Sequence, residues 1–147
     1  MAELELGWTF FDKRATNLAG QKGKYFLAFA DAEYDDDRIP CFVCNTENRM
    51  DICHLGCNEK HERFVIAPGT FSWVTDYTAI MLNKESWYTL EEILSDEIEL
   101  KERAKETLLR QIKNCIDKES ISSAAFERIN SSFNSLPVAG TPPKSKM

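Results

Sequence analysis

The chain has 147 residues, of which 43% are hydrophobic and 29% are charged, and its formal net charge is −6 at pH 7. This length and balance are typical of one globular domain, with or without an appended segment, that buries its own core. The acidic charge disfavours a general affinity for nucleic acid and leaves room only for a local basic patch. No apolar run approaches the roughly 18 residues that a membrane span needs, and the first residues are acidic where a signal peptide is basic. We therefore predict no membrane association and a cytoplasmic location.

The first half of the chain predicts antiparallel strands. Residues 1 to 12 alternate apolar and polar side chains, which favours a first strand, and residues 25 to 30 are apolar on both faces, which favours a buried one. Five carboxylates in residues 31 to 37 predict an exposed hairpin tip, because like charges repel. A cation site at this tip is an alternative, but the glycine of a calcium loop is missing. Residues 38 to 44 then form the returning strand.

The stretch from 63 to 82 is the clearest strand signal. Three β-prone runs, at 64 to 67, 73 to 74 and 77 to 82, are separated by Pro68-Gly69 and by a polar break. This pattern predicts a tight antiparallel meander of three strands.

The rest of the chain predicts helices. Thr89 and Glu92 have the spacing of a capping box, which favours a short helix at 90 to 95. Apolar residues at helical spacing predict a long helix at 98 to 117, and a third helix follows a group of serines that can cap it. Its predicted apolar face consists of Ile121, Ala125, Phe126, Ile129 and Phe133. We expect residues 135 to 147, which are rich in Ser, Pro and Lys, to be a disordered tail.

Five cysteines are an odd number, so we predict free thiols and no disulfide framework. Zinc is an open alternative, because a small group of Cys and His residues could supply ligands. That group is Cys41, Cys44, Cys53 and Cys57, with His54 and His61. Its first two members lie three apart in a strand and so face opposite ways. A nucleophilic Cys57 is a further alternative, but nothing in the sequence marks a reactive thiol.

Two polar stretches are candidates for binding and catalysis. Residues 45 to 49 read Asn-Thr-Glu-Asn-Arg at the end of a buried strand, where rigid strands often present functional side chains. The segment from 13 to 24 contains four basic residues and no acidic one, so it can face phosphates or serve as a solvated connector. A hydroxyl, carboxylates and guanidinium groups on neighbouring loops suit phosphodiester chemistry. Ordinary turn and cross-strand roles for the same residues are the alternative.

Residues 22 to 95 resemble PemK-like and MazF-like toxin proteins of toxin-antitoxin pairs. The features that carry the resemblance are the strand ending in Ala30-Asp31, the acidic hairpin and the 39 to 44 strand running into Asn45-Thr46-Glu47-Asn48-Arg49. The later stretches from Phe64 to Phe71 and from Asp76 to Ile80 are also similar to one branch of that group.

The resemblance implies a small SH3-like antiparallel β-barrel over residues 1 to 88, followed by two or three helices at 89 to 134 packed on it. It also implies a cytoplasmic, metal-independent endoribonuclease that acts on single-stranded RNA without a cofactor. Homodimers and a cognate antitoxin that covers the RNA groove belong to the same expectation. A non-catalytic protein-binding module of the same fold is the alternative.

The resemblance also assigns roles to residues of this chain. Thr46 matches the hydroxyl residue after the second long strand, and Arg49 and Lys24 are expected beside the scissile phosphate. Active relatives often have arginine where this chain has Lys24, and lysine lacks the bidentate fork of arginine. Glu47 and Asp76 are the predicted proton acceptors. Further RNA contacts are expected from Lys13, Arg14, Lys22, Asn45, Asn48 and Arg63.

Overall fold

The computed structural model describes residues 3–16 and 22–136. It is mainly β, with one eight-stranded antiparallel sheet and three α-helices. The strands are β1 (Trp8–Thr16), β2 (Lys22–Ala28), β3 (Arg38–Thr46), β4 (Gly56–Asn58), β5 (Arg63–Ile66), β6 (Thr78–Met81), β7 (Ser86–Thr89) and β8 (Ile98–Arg103). The helices are α1 (Leu90–Ile93), α2 (Glu106–Cys115) and α3 (Ser123–Asn134).

The strand order is β4-β5-β6-β3-β2-β1-β8, and β7 also pairs with β3. β3 is the hub, because its first half pairs with β7 and its second half with β6, while β2 lies along its other side. The strands of the described residues do not close into a barrel by hydrogen bonding, since β4 and β8 end the path.

Each face of the sheet covers a hydrophobic core, which follows from strands that are apolar on both sides. The first core lies under α2 and α3 and contains Leu27, Phe29, Phe42, Ile80, Leu109, Ile112, Ile129 and Phe133. The second core lies between the other face and the β7-α1-β8 segment and contains Phe10, Phe26, Ile39, Tyr88, Leu90, Ile93 and Ile98. Within the described residues, no helix has the length and apolar character that crossing a membrane requires.

Three local predictions are confirmed. Thr89 accepts the backbone N–H of Glu92, whose side chain accepts that of Thr89, so the capping box is complete. Ser122 caps α3, whose predicted apolar face packs into the first core. Cys41 and Cys44 lie in different cores, as expected for residues three apart in a strand.

The first strand is shifted from its predicted position at 1 to 12, because β1 runs from Trp8 to Thr16, and the segment expected to connect it to the next strand is itself strand at both ends. Two other secondary-structure predictions are wrong. The long helix from 98 to 117 is instead strand β8 followed by α2, because residues 98 to 103 pair with the edge of β1. The meander of 63 to 82 has two strands, β5 and β6, and its central run forms turns. There Trp73 stacks on Tyr25 with ring centroids 4.1 Å apart and donates its indole N–H to Thr9.

The prediction of free thiols is also wrong in part, because Cys57 and Cys115 form a disulfide. Cys41, Cys44 and Cys53 are free and buried. Residues 137 to 147 of the predicted tail lie outside the described residues.

Candidate functional site

A cleft of about 670 Å³ lies over the region where β2, β3, β5 and β6 run side by side. Most of the predicted site residues meet here, and we call it the cationic cleft. Its lining residues are Gly23, Lys24, Tyr25, Cys44, Asn45, Thr46, Glu47, Asn48, Arg49, Arg63, Ala79 and Met81. Three cations and one carboxylate line the cleft in a chain whose net charge is −6. Asp51, which is not a lining residue, pairs with one of these cations, so the cleft has a small positive excess.

Strand register explains how Lys24 reaches the cleft. Tyr25 pairs with Cys44, so the next position along each strand sets Lys24 beside Asn45. Asn45 in turn pairs with Ala79 of β6. Residues directly opposite each other share a sheet face, so the side chains of Lys24, Asn45 and Ala79 lie next to one another on the same face.

Glu47 is the most constrained side chain of the cleft. Its carboxylate is 2% exposed, and its Oε2 accepts a hydrogen bond of 2.7 Å from Nη1 of Arg63, which is 26% exposed. Its Oε1 accepts the backbone N–H of Arg49 at 3.0 Å. Burial raises the pKa of Glu47, but the bonds from Arg63 and Arg49 outweigh it and hold the pKa below its ordinary value. Glu47 is therefore ionised at neutral pH, a weak base, and the anchor of Arg63.

Arg63 retains capacity for a ligand despite this ion pair. A guanidinium has five N–H donors in a planar fork. Among the described residues, Nη1 bonds Glu47 and Nε bonds the carbonyl of His61 at 3.1 Å. Its Nη2 edge can therefore meet a phosphate oxygen while the ion pair stays intact.

Arg49 makes a different kind of pair. Its Nε and Nη2 bond the two carboxylate oxygens of Asp51, each at 3.0 Å, and both side chains are more than 60% exposed. Exposed ion pairs contribute little to stability. An entering phosphate can therefore displace Asp51 from Arg49 far more easily than Glu47 from Arg63.

Thr46 borders the cleft but faces the other way. It pairs with Thr78, two positions beyond the Cys44–Ile80 pair, so alternation puts its side chain on the sheet face of Cys44 and Ile80. Asp76 lies two residues before β6, and the Thr78 hydroxyl donates to its backbone carbonyl. Asp76 is exposed, and its carboxylate accepts the N–H of Tyr77 at 2.7 Å.

The basic segment before β2 does not reach the cleft in the described part. Lys13 donates to the backbone carbonyl of Asp96 at 3.3 Å, near the start of β8. Arg14 bonds the buried carboxylate of Asp12, which also accepts the Tyr88 hydroxyl at 2.7 Å. Lys22 begins β2, and its side chain, like residues 17 to 21, lies outside the described residues.

Asp12 and Tyr88 form a buried polar pair beside the second core. Burial raises the pKa of Asp12, but hydrogen bonds from Arg14 and the Tyr88 hydroxyl hold it below its ordinary value. Burial and the neighbouring carboxylate raise the pKa of Tyr88. The pair joins β1 to β7 and has a structural role.

The cysteines of the zinc alternative are dispersed. Cys41 and Cys44 face opposite cores, and Cys57 is bonded to Cys115. The buried thiol of Cys53 instead lowers the pKa of Glu47 by hydrogen bonding to it. Within residues 3–16 and 22–136, no group of three or more His, Cys, Asp or Glu side chains is arranged to hold a metal ion.

Several residues of the cleft were not predicted from the sequence. Ala79 and Met81 form its apolar floor from β6, and Cys53 supports Glu47 from the loop after β3. The β-prone run at 77 to 82 was the signal for this strand, and it does not say which of its faces meets the cleft. Comparison of the chain with protein families, curated proteins and solved structures finds no match in any of the three.

Proposed function

We propose that the protein is a metal-independent endoribonuclease that binds single-stranded RNA in the cationic cleft. The observation that carries this proposal is the convergence of Lys24, Arg49 and Arg63, from three separate parts of the sequence, on one cleft of an acidic protein. The resemblance of residues 22 to 95 to PemK-like and MazF-like toxins supports the same activity.

The fold proposal is an SH3-like barrel. Strands β8, β1, β2, β3 and β7 are consecutive neighbours around the second core, and α1 connects β7 to β8. This arrangement agrees with a strongly curved barrel in which a short helix fills the gap between the end strands. With the fold go the other expectations of the family, namely a cytoplasmic protein that forms homodimers and is covered by an antitoxin.

In this proposal Arg63 and Lys24 bind the phosphate chain, and Arg49 exchanges Asp51 for a phosphate oxygen. The amides of Asn45 and Asn48 contact riboses or base edges. The three cations need no metal ion to bind RNA, because their positive charges neutralise the phosphodiester directly.

For the chemical step, a base removes the proton of the ribose 2′-hydroxyl, and the 2′-oxygen attacks phosphorus to form a 2′,3′-cyclic phosphate. The bond from phosphorus to the 5′-oxygen breaks, and that oxygen takes a proton from water. Glu47 is a poor candidate for that base, because it is buried and committed to Arg63. We assign the role to Asp76, which is exposed and lies just before β6, the strand that pairs with the end of β3. Asp76 does not line the cleft, so this assignment requires the RNA chain to run from the cleft over the paired ends of β3 and β6. Thr46 then orients the reacting phosphate at the end of β3.

The test is cleavage of a long single-stranded RNA by purified protein in excess EDTA. We expect discrete fragments from the wild type, about 10-fold slower cleavage by Lys24→Gln and Arg49→Gln, and at least 100-fold slower cleavage by Asp76→Asn. Lys105→Gln is the matched control, because Lys105 is exposed and follows β8, which pairs with the Trp8 end of β1, whereas Lys24 pairs with Asp12 farther along that strand. Melting curves establish that each variant is folded.

A second candidate is a non-catalytic module that binds a protein over the loop between β3 and β4. Ile52 and Leu55 are 50% and 52% exposed on the loop that follows Arg49, and apolar side chains beside charged ones are common in interfaces. Intact RNA in the presence of folded protein would favour this candidate.

A further inference from the structure

The disulfide joins two elements that otherwise meet at the margin of the sheet. Cys57 is the central residue of β4, the three-residue edge strand, and Cys115 is the last residue of α2. Cys115 is buried, whereas Cys57 is partly exposed. The bond therefore clips the end of a helix to the edge of the sheet.

The disulfide lies next to the backbone of Arg63. β4 pairs with β5 through the Asn58–Arg63 pair, and Sγ of Cys115 lies 3.8 Å from the backbone carbonyl oxygen of Arg63. The side chain of Arg63 reaches into the cationic cleft and bonds Glu47. The disulfide thus contacts the backbone of the cation that holds the centre of the cleft.

Cys57 also opens onto solvent. It lines a shallow depression of about 410 Å³ together with Ile52, His54, Asn58, Glu59, Lys60 and His61. Because Cys57 lines this depression and is partly exposed, a reductant can approach the disulfide from this side, where the charges of Lys60 and Glu59 offset each other. The depression lies on the loop that runs from Arg49 to β4, so it is distinct from the cleft.

We propose that Cys57–Cys115 is a reversible redox tether that sets the affinity of the cleft for phosphate groups. The co-reactant is a dithiol reductant. Its first thiolate attacks Sγ of Cys57, a mixed disulfide forms, and Cys115 leaves as a thiolate that takes up a proton. The second thiol of the reductant then displaces Cys57, so the reductant becomes a disulfide and the protein gains two thiols.

Reduction is expected to loosen the edge without unfolding the protein. α2 keeps its place through Leu109 and Ile112, which are fully buried in the first core. β4 has only three residues and one neighbouring strand, so it loses much of its support. The backbone at Arg63 then becomes more mobile, and the cleft binds phosphates less tightly.

The experiment compares oxidised and reduced wild-type protein. A thiol assay under denaturing conditions distinguishes the states, because three cysteines are free in the oxidised protein and five exist in the chain. Amide hydrogen exchange is measured across residues 56 to 66, and fluorescence anisotropy measures binding of a single-stranded oligoribonucleotide and of inorganic polyphosphate. Reduction is expected to speed amide exchange at residues 56 to 63 at least 10-fold. It is also expected to lower the affinity for each of the two ligands about 5-fold to 20-fold.

Two variants complete the design. Cys57→Ser with Cys115→Ser should behave like the reduced wild type and ignore the reductant. Cys41→Ala, which removes a buried thiol in the second core, should remain fully sensitive to it.

The expected change in ligand affinity rests on the proposed function. The measurements distinguish failure of the redox tether from failure of that function. Equal exchange in both redox states would overturn the tether, whatever the cleft binds. Faster exchange with unchanged affinity would overturn the coupling to the cleft. Absence of RNA and polyphosphate binding in both states would instead overturn the proposed function, while an exchange difference would still support a reducible clip.

Discussion

Glu47→Gln is the substitution that best separates two roles for the cleft carboxylate. If Glu47 only anchors Arg63, its loss removes the ion pair and leaves the guanidinium without its internal partner. The protein should become less stable, but Arg63 should bind a phosphate more readily because no carboxylate competes for it. If Glu47 is instead the proton acceptor, the same substitution should abolish cleavage.

The size of the stability loss follows from burial. Removing one partner of a fully buried ion pair costs about 3 to 5 kcal/mol. Arg63 is 26% exposed and water can solvate part of its charge, and the Gln side chain can still accept the Arg49 N–H. We therefore expect a loss of about 2 to 3 kcal/mol, which for a chain of this size lowers Tm by roughly 6 to 10 °C.

The pH dependence provides an independent check. The pKa of Glu47 is lowered in the folded protein, so its contribution is complete above the unfolded pKa of about 4.3 and is lost as pH falls through the lower folded value. The Glu47→Gln variant should lack this part of the acid destabilisation, so the stability difference from wild type should shrink below about pH 4.

The assay is urea denaturation from pH 3 to 8, followed by anisotropy with polyphosphate and RNA cleavage in EDTA. Glu99→Gln is a suitable control, because it removes an exposed carboxylate whose ion pair with Lys101 lies on the surface. An unchanged free energy of unfolding at neutral pH would refute the reasoning about burial. Complete loss of cleavage in a variant that is stable and still binds RNA would show that the base is Glu47 and not Asp76.

Other predictions concern the frame around the site. Removing the Cys57–Cys115 disulfide, which spans 58 positions, should cost about 4 kcal/mol by loop-closure entropy, seen as a Tm lower by roughly 13 °C. Either single Ser variant should lose nearly as much as the double variant. Gly23→Ala should cost about 2 kcal/mol or more, because φ is +103° and a Cβ would overlap the ring of Phe11. Tyr88→Phe should cost about 1 to 3 kcal/mol in urea denaturation, because the buried aspartate of β1 loses a donor.

Local features of the chain were readable without the fold. The capping box of Thr89 and Glu92 depends on neighbours three residues apart, and α3 depends on a cap followed by periodic apolar residues. The polar segment from 45 to 49 was marked because polar residues followed a buried strand, although its first two residues belong to β3. Each of these signals is contained within a few consecutive residues, so the sequence alone determines it.

Contacts between distant segments were decided only by the tertiary structure. Residues 98 to 103 have a pattern compatible with a helix, and the free edge of β1 makes them a strand. The disulfide partner of Cys57 lies 58 positions away, and no spacing rule selects Cys115 for it. The face to which Thr46 belongs and the burial of Glu47 against Arg63 also depend on strand register and on how the following loop folds back. Sequence periodicity specifies which residues share a face of one element, but the free energy of pairing and packing between elements decides which faces meet.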